Sequence, residues 1–190
     1  MNILIVNASP RRKGNVAEML RIMQEEAESL GHTVTVLRVA EMSVRPCTGC
    51  MACRTSLECV LPQDGAQHTL EALRRADGLI VGAPCYWGNM PGSLKLLFDR
   101  MVYGMMGETP LGIPKALHKG KRAVIVSTCT TPFPLNMLFN QTRGVVRALK
   151  EILGYSGFRI VGTVQKGGTK TGKGLTVRER RRCVKMIGRL

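Results

Sequence analysis

Several features are scarce in this chain, and each scarcity excludes a class of protein. Aromatic residues make up 4% of the 190 residues, and no apolar run reaches the roughly 18 residues that a membrane-spanning helix requires. The N-terminus lacks the basic segment of a secretory signal, and its apolar run 2–6 is typical of a buried first β-strand. We therefore expect a globular protein with no stable membrane insertion.

Residues for hydrolytic chemistry are also scarce. There are three histidines, which are scattered along the chain, so we expect all of them on the surface. No Ser/His/Asp set and no pair of carboxylates has a spacing that favours nucleophilic or acid–base catalysis. The sequence therefore predicts no catalytic side chain, and chemistry would have to come from a bound group.

Acidic residues are few, 13 against 28 basic ones, and the net charge is +15. Residues 166–190 form a basic tail with nine basic residues and one acid. Such a tail could bind an acidic partner, namely nucleic acid, an acidic electron-transfer protein or a membrane surface. A solvated basic face on the last helix is the simpler interpretation, because the tail has no aromatic residues for base stacking.

The hydrophobic pattern alternates between strands and helices along the whole chain, with no internal repeat and no domain boundary. We predict one domain, residues 1–190, of the α/β class: a five-stranded parallel sheet of order 2-1-3-4-5 with helices on both faces. Residues 103–120 are rich in glycine and proline and are predicted to be a long loop, which could be a lid, a dimer contact or a flexible segment. The predicted strands are 2–6, 33–39, 79–81, 123–127 and 158–164.

Cysteine is plentiful, and the seven residues, an odd number with four crowded together, do not suit a secreted disulfide framework. We therefore expect a reducing, cytoplasmic location. A cysteine-rich loop, residues 46–60, has the spacing C-x2-C-x2-C-x5-C, and such a run is typical of a [4Fe–4S] site. Zinc, or thiols that bind nothing or exchange disulfides, are the alternatives. The four cysteines are Cys47, Cys50, Cys53 and Cys59.

Ligands of parallel sheets bind beyond the carboxyl ends of the strands. This rule indicates three loops as candidate cofactor-binding segments: 7–15, 83–90 and 127–133. Thr128, in the third loop, is a candidate cofactor-binding residue. The first loop has polar donors, three consecutive cations and a glycine where a helix begins, which predicts a phosphate site of the mononucleotide type. A basic turn without a ligand is the alternative.

The second loop contains the single Trp of the chain beside a Tyr, at Trp87 and Tyr86. A flat heteroaromatic ring would gain contact area and backbone hydrogen bonds there. Alternatively, the two aromatic side chains plug the edge of the sheet.

Together these motifs resemble the NADPH-dependent FMN reductase branch of the flavodoxin-like superfamily. With the cysteine-rich loop, the chain is most similar to the iron–sulfur flavoproteins of that branch. The resemblance covers about residues 1–165 and rests on Asn7-Ala8-Ser9-Pro10-Arg11 with Gly14-Asn15, Pro84-Cys85-Tyr86-Trp87 with Met90-Pro91-Gly92 and Lys95, and Asp99-Arg100.

The resemblance implies a flavodoxin-like three-layer sandwich, FMN at the strand ends and a dimer or tetramer. The residues that match the phosphate positions are Ser9, Arg11, Gly14 and Asn15, and those along the isoalloxazine are Pro84, Tyr86, Trp87, Gly88 and Asn89. The four loop cysteines match cluster ligands, and Asp99-Arg100 matches a pair that we interpret as a structural charge pair at a helix end.

Three residues depart from the family pattern. Val16 stands where many relatives carry a hydroxyl for the phosphate, so Arg11 would contribute more of that binding. Cys85 lies next to the expected flavin ring and, like Cys129, is either a redox thiol or a small buried hydrophobe; we favour the hydrophobe.

The leading hypothesis is an FMN-dependent oxidoreductase with a [4Fe–4S] cluster, which takes electrons from NAD(P)H or from a small redox protein. One alternative is an NAD(P)H-dependent FMN or quinone reductase without a cluster. Another is a basic redox-sensing regulator associated with nucleic acid or a membrane.

Overall fold

The computed structural model describes residues 1–172 and 174–190; Lys173, one of the basic residues of the tail, lies outside the described residues. The elements in chain order are β1 (Asn2–Asn7), α1 (Asn15–Ser29), β2 (Thr33–Arg38), α2 (Cys53–Ser56), α3 (Gly65–Arg75), β3 (Gly78–Pro84), α4 (Gly92–Met105), β4 (Met106–Glu108), β5 (Pro114–Ala116), β6 (Arg122–Thr128), α5 (Leu135–Leu138), α6 (Gln141–Ser156), β7 (Arg159–Lys166) and α7 (Val177–Ile187). Two short 3-10 helices span Val39–Glu41 and Thr169–Thr171.

Five strands form one parallel sheet in the order β2-β1-β3-β6-β7. This is the predicted order 2-1-3-4-5 of the five main strands, so the flavodoxin-like arrangement is confirmed. Because the order reverses between β1 and β3, the loops after these strands diverge to opposite faces and leave a crevice at their carboxyl ends.

Both faces of the sheet are covered, because alternate residues of a strand point to opposite sides. Ile3 and Ile5 pack with α1 and α7 in one buried cluster. Leu4 and Val6 pack with α3, α4 and α6 in the other. The apolar runs of the central strands are therefore explained by burial on both sides.

Side-chain caps set the starts of two helices. The Asp64 carboxylate accepts from Ala66 N, and the Gln67 side chain accepts from Asp64 N, which begins α3. Thr176 and Glu179 make the equivalent reciprocal bonds at the start of α7. Each capping box satisfies backbone N–H groups that the first turn of a helix leaves free.

Residues 103–120 are not the single long loop that the glycines and prolines predict. Helix α4 continues to Met105, and β4 and β5 then pair as an antiparallel hairpin. The prediction that all histidines lie on the surface is also wrong, since His118 is 3% exposed. Its Nε2 donates to the carbonyl oxygen of Gly104 at 2.8 Å, and its ring stacks on Phe158.

Among the residues that the structure describes, no helix is long and apolar enough to cross a membrane.

Candidate functional site

A cavity of about 130 Å³ opens at the carboxyl ends of β1, β3 and β6, where the strand order reverses. It brings together eight of the eleven residues predicted to contact a cofactor. Its lining residues are Ser9, Arg11, Gly14, Asn15, Val16, Pro84, Cys85, Tyr86, Thr128, Cys129, Thr130 and Thr169. Its volume is below the roughly 300 Å³ of an enclosing ligand pocket, so it can enclose only part of a nucleotide.

The loop after β1 is shaped by its own hydrogen bonds. Asn7 Oδ1 accepts from Ser9 N at 3.0 Å, and Ser9 Oγ accepts from Arg11 N at 3.3 Å. Gly14 is the N-cap of α1 and offers no side-chain cap, so the first N–H groups of that helix are left for another acceptor.

The charge around this loop is positive. Arg12 pairs with Glu41 at 2.9 Å, whereas Arg11 makes no ion pair with any described residue. A free guanidinium beside a helix N-terminus favours a phosphate by charge and by hydrogen bonding. The loop therefore offers the positive charge and the hydrogen-bond donors that a phosphate group requires.

The loop after β3 ends in a tight turn. Tyr86 and Asn89 exchange two backbone hydrogen bonds, of 2.9 and 3.0 Å, and the residues between them, Trp87 and Gly88, both have positive φ. A positive φ costs a bulky residue about 1 kcal/mol or more. The side chain of Trp87 is fully exposed, so it does not plug the sheet edge, and a strained, exposed indole is typical of a contact surface.

Three predicted cofactor residues, Trp87, Gly88 and Asn89, do not line the cavity but form this turn at its mouth. The start of α6 supports the turn from behind, where a Cβ added to Gly144 would lie 1.8 Å from the Gly88 carbonyl oxygen. The glycine at 144 is therefore required for the close approach of helix and turn.

The thiols of Cys85 and Cys129 both line the cavity and directly follow the paired residues Pro84 and Thr128. Cys85 Sγ donates to Gln141 Oε1 and Cys129 Sγ to the Thr131 carbonyl oxygen, both at 3.3 Å. Burial raises the pKa of each thiol. Protonated, hydrogen-bonded thiols of this kind support a structural role.

Sequence reasoning missed two lining residues, Thr130 and Thr169. Thr130 lies in the loop after β6, which the strand-end rule already indicates. Thr169 follows the edge strand β7, and its backbone N–H and Oγ1 both donate to the Cys129 carbonyl oxygen, at 3.1 and 3.0 Å. The same rule applied to the last strand would have found it.

The cysteine-rich loop lies apart from this cavity. Cys47 and Cys50 are exposed, and Cys53 and Cys59 are partly buried at and after the short helix α2. Burial, and then the charges of Cys59, Cys47 and Cys50, raise the pKa of Cys53. Among the described residues, however, no three cysteines are close enough together to hold a metal ion.

An ion pair inside the protein holds both ends of this loop. Arg100 Nη1 donates to Asp64 Oδ2 at 2.8 Å and to the Arg45 carbonyl oxygen at 2.9 Å. Asp99 instead pairs with Lys95. The prediction of a charge pair at the helix end between Asp99 and Arg100 is therefore wrong, because successive residues of a helix face different directions.

The donor set fits an iron–sulfur cluster in its chemistry. Four free thiols lie in one loop, and two nitrogens of the buried Arg100 beside that loop, Nε and Nη2, have no partner in the described structure. A buried guanidinium in this state favours an anionic group next to it. The loop would have to draw its sulfurs closer to hold a cluster.

The family model for NADPH-dependent FMN reductase matches residues 1–165. An iron–sulfur flavoprotein of Methanosarcina thermophila is 38% identical over 102 residues, which cover 54% of this chain and 53% of that protein. An iron–sulfur flavoprotein of Archaeoglobus fulgidus is 33% identical over 107 residues, 56% of this chain and 52% of that protein. The chain thus spans about half the length of the curated relatives it matches.

Solved structures agree on the fold. An azoreductase from Bacillus anthracis superposes with a TM-score of 0.78 at 16% identity, covering 100% of both chains. An NAD(P)H:quinone oxidoreductase from Methanothermobacter marburgensis superposes with a TM-score of 0.70 at 20% identity, covering 98% of this chain and 93% of the other. With the family match over most of its length, the chain belongs to the NADPH-dependent FMN reductase family of flavodoxin-like oxidoreductases.

Proposed function

We propose that this chain is an FMN-dependent oxidoreductase that carries a [4Fe–4S] cluster and transfers electrons between NAD(P)H, or a small redox protein, and an acceptor. The observation that carries the proposal is the cavity that the loop after β1 and the loop after β3 line together. When bound, FMN exchanges two electrons as a hydride or singly, and a cluster carries one at a time, so together they link two-electron and one-electron donors.

The loop after β1 would bind the phosphate. Ser9 and Asn15 supply hydroxyl and amide donors, Arg11 supplies charge, and Gly14 leaves the N-terminus of α1 open. Val16 is buried and apolar, so it supplies no hydroxyl, and the guanidinium takes a larger share of the binding.

The loop after β3 would orient the ring system. Pro84, Cys85, Tyr86 and Thr128 line the cavity wall, while Trp87, Gly88 and Asn89 form the turn at its mouth. An exposed indole at this mouth can cover a ring and keep water from it. No side chain has to act as a nucleophile or as an acid or base.

The cysteine-rich loop would hold the cluster through Cys47, Cys50, Cys53 and Cys59. The names of the archaeal relatives and the donor set support this assignment. All seven cysteines of the chain are free thiols, which fits the reducing cytoplasm that we propose for it.

A cluster-free FMN or quinone reductase is the second candidate. It is favoured by the distances between the four thiols, which are too large for a metal site among the described residues. It is also favoured by a relative, an FMN-dependent NADH:quinone oxidoreductase of Haemophilus influenzae, which is 32% identical over 56% of this chain and 53% of that protein.

We also propose that the protein is a homodimer or homotetramer. The apolar side chains of Trp87, Leu138 and Phe139 are exposed. A Cβ added to Gly88 would lie 3.9 Å from the Asn140 carbonyl oxygen, so the turn at residues 86–89 lies next to the segment before α6. Exposed apolar surface of this kind is typical of a partner contact. Sedimentation equilibrium measures the assembly directly.

The test is anaerobic purification followed by assay of FMN, iron and acid-labile sulfide in one sample. FMN with about four irons and four sulfides per chain is expected. A Cys47→Ser variant should lose iron, whereas Cys183→Ser, a buried thiol outside the loop, should keep it. FMN without iron would leave the second candidate, and absence of flavin would overturn both.

A further inference from the structure

Cys85 and Cys129 lie side by side at the ends of two neighbouring strands of the sheet. Pro84 on β3 and Thr128 on β6 are Cα partners in the parallel register, and each cysteine is the next residue along its chain segment. The pairing continues past these partners, because the Cys85 N–H donates to the Thr128 carbonyl oxygen at 2.7 Å. The spacing of neighbouring strands is about 4.8 Å, which lies within the Cα–Cα span of about 4.4–6.8 Å that a disulfide requires.

The two cysteine side chains also lie on one face of the sheet. Partners in a parallel register point to the same side, and so do residues two apart on one strand. Ala83 and Ser127 are partners two positions before the cysteines, so all four side chains share a face. Cys85 packs against the buried cluster that contains Ala83, and both cysteines line the cavity at the strand ends. The backbone therefore presents the two thiols to the same space.

The two thiols differ in access. Cys129 is 5% exposed, whereas Cys85 is only partly buried, so a reagent that enters the cavity meets Cys85 first. In the reduced protein each thiol has a structural role, since Cys85 Sγ donates to Gln141 Oε1 and Cys129 Sγ to the Thr131 carbonyl oxygen. A thiol is a weak donor, so these hydrogen bonds do little to prevent the sulfurs from turning toward each other.

We propose that Cys85 and Cys129 are a reversible disulfide pair in the wall of the cavity, and that this disulfide and bound FMN exclude each other. Cys85 attacks a small organic disulfide, forms a mixed disulfide with one half of it and releases the other half as a thiol. Cys129 then attacks the Cys85 sulfur and releases the second half as a thiol. The two cysteine S–H bonds and the S–S bond of the reagent break, while one protein S–S bond and two S–H bonds form. Two electrons thus pass from the protein to the reagent.

The exclusion of FMN follows from the position of the two thiols. Both belong to the wall that FMN would contact, so bound FMN would cover them and keep the reagent away. The disulfide would in turn remove the contact of Cys85 with Gln141 and tie the loop after β3, which carries the turn that begins at Tyr86, to the loop after β6. Coupling between two binding events acts equally in both directions. The exclusion rests on the proposed function, whereas formation of the disulfide does not.

The experiment treats the FMN-bound protein and the same protein freed of FMN with oxidised glutathione, alkylates the remaining thiols and digests with trypsin. Cleavage after Lys and Arg places the two cysteines in peptides 76–95 and 123–143, neither of which contains another cysteine. Mass spectrometry should find the two peptides joined in FMN-free protein, and saturating FMN should slow the joining about 10-fold or more. Oxidised protein should bind FMN about 10-fold more weakly or worse, and dithiothreitol should restore the affinity.

Single substitutions separate the two steps of the exchange. Cys129→Ser should stop at a mixed disulfide of glutathione with Cys85, whereas Cys85→Ser should leave the buried Cys129 unreacted. The matched control is Cys183→Ser, which removes a buried thiol that does not line the cavity and should leave the joining as in wild type.

Each remaining outcome overturns a stated part of the inference. Wild-type protein without joined peptides would overturn the disulfide pair. Equal joining with and without bound FMN, or equal FMN affinity of oxidised and reduced protein, would overturn the exclusion. Protein that joins the peptides but binds no FMN would instead overturn the proposed function, and the exclusion with it, while the disulfide pair stands.

Discussion

Adjacent arginines in the loop after β1 have different surroundings. Arg11 lines the cavity and makes no ion pair with a described residue, whereas Arg12 is mostly exposed and pairs with Glu41. Composition alone presents them as members of one basic run, and only the family resemblance singles out Arg11. Their surroundings differ, because Arg11 faces the cavity and Arg12 faces Glu41.

We expect Arg11→Ala to weaken FMN binding by about 10-fold to 100-fold, since a hydrogen bond to a charged group contributes about 1.5–3 kcal/mol. Arg12→Ala should change it by less than about fivefold, as is usual for an exposed ion pair. Fluorescence quenching of FMN titrated with apoprotein measures both. Equal affinities in the two variants would contradict the phosphate role of Arg11.

The buried thiol of Cys183 should make the stability of the protein depend on pH. It lies fully buried between α7 and the sheet, and burial raises its pKa from 9.0 to about 11. The unfolded chain therefore releases this proton at lower pH than the folded one, so the stability from the protonated thiol is present below pH 9 and is lost as the pH rises to 11.

The loss should reach about 3 kcal/mol in the free energy of unfolding. Urea titrations of reduced, metal-free protein between pH 8 and pH 11, values that bracket this ionisation, should show a shallower decline in Cys183→Ala than in wild type. Met186→Leu, which alters the same buried face without a titrating group, should keep the wild-type slope. Parallel declines in all three would show that Cys183 does not titrate in this range.

At the scale of elements, helix α6 and the turn at Tyr86–Asn89 form one unit. Gly144 lets the helix approach the Gly88 carbonyl oxygen, while a Cβ added to Gly154, near the other end of the helix, would meet no described atom within 4 Å. A side chain is therefore excluded at position 144, whereas position 154 has room for one.

We expect Gly144→Ala to push the turn away from the helix, to destabilise the protein by about 1–3 kcal/mol and to weaken FMN binding. Gly154→Ala should instead stabilise the same helix by up to about 1 kcal/mol. Thermal melts with and without FMN compare them. A Gly144→Ala protein with the melting temperature and FMN affinity of wild type would show that the close packing is not required.

At the scale of the whole molecule, the net charge of +15 includes basic residues that lie on and beside the last helix. A cavity of about 500 Å³ is lined by Arg122, Arg159 and Arg189, and none of these three pairs with a described acid. Helix α7 carries five further basic residues. We propose an acidic one-electron carrier protein as the partner of this surface. A one-electron carrier matches the chemistry proposed for the cluster.

Reduction of such a carrier should slow about 10-fold or more as salt screens the attraction. Arg178→Glu with Arg182→Glu on α7 should slow it at low salt. The matched control, Arg147→Glu with Lys150→Glu, makes the same change of charge on α6, across the sheet, and should slow it less. Equal effects of the two pairs, measured by stopped flow, would indicate a response to net charge alone.

Much of the fold could be predicted because it depends on local pattern. Continuous apolar runs, such as 2–6 and 123–127, predict strands buried on both faces. The strand order and the gathering of the three loops then followed from the connectivity of parallel sheets. The hairpin β4–β5 was missed, because its short strands pair only with each other and contain glycine and proline.

The sequence by itself determined the family, the sheet order and the segments that form the cavity, since each is encoded in residues close together along the chain. Tertiary structure alone decided that Arg100 pairs with Asp64 rather than Asp99, and that His118 is buried. These contacts join residues distant in sequence, and which of them form depends on how helices and strands pack, a property that no local spacing contains.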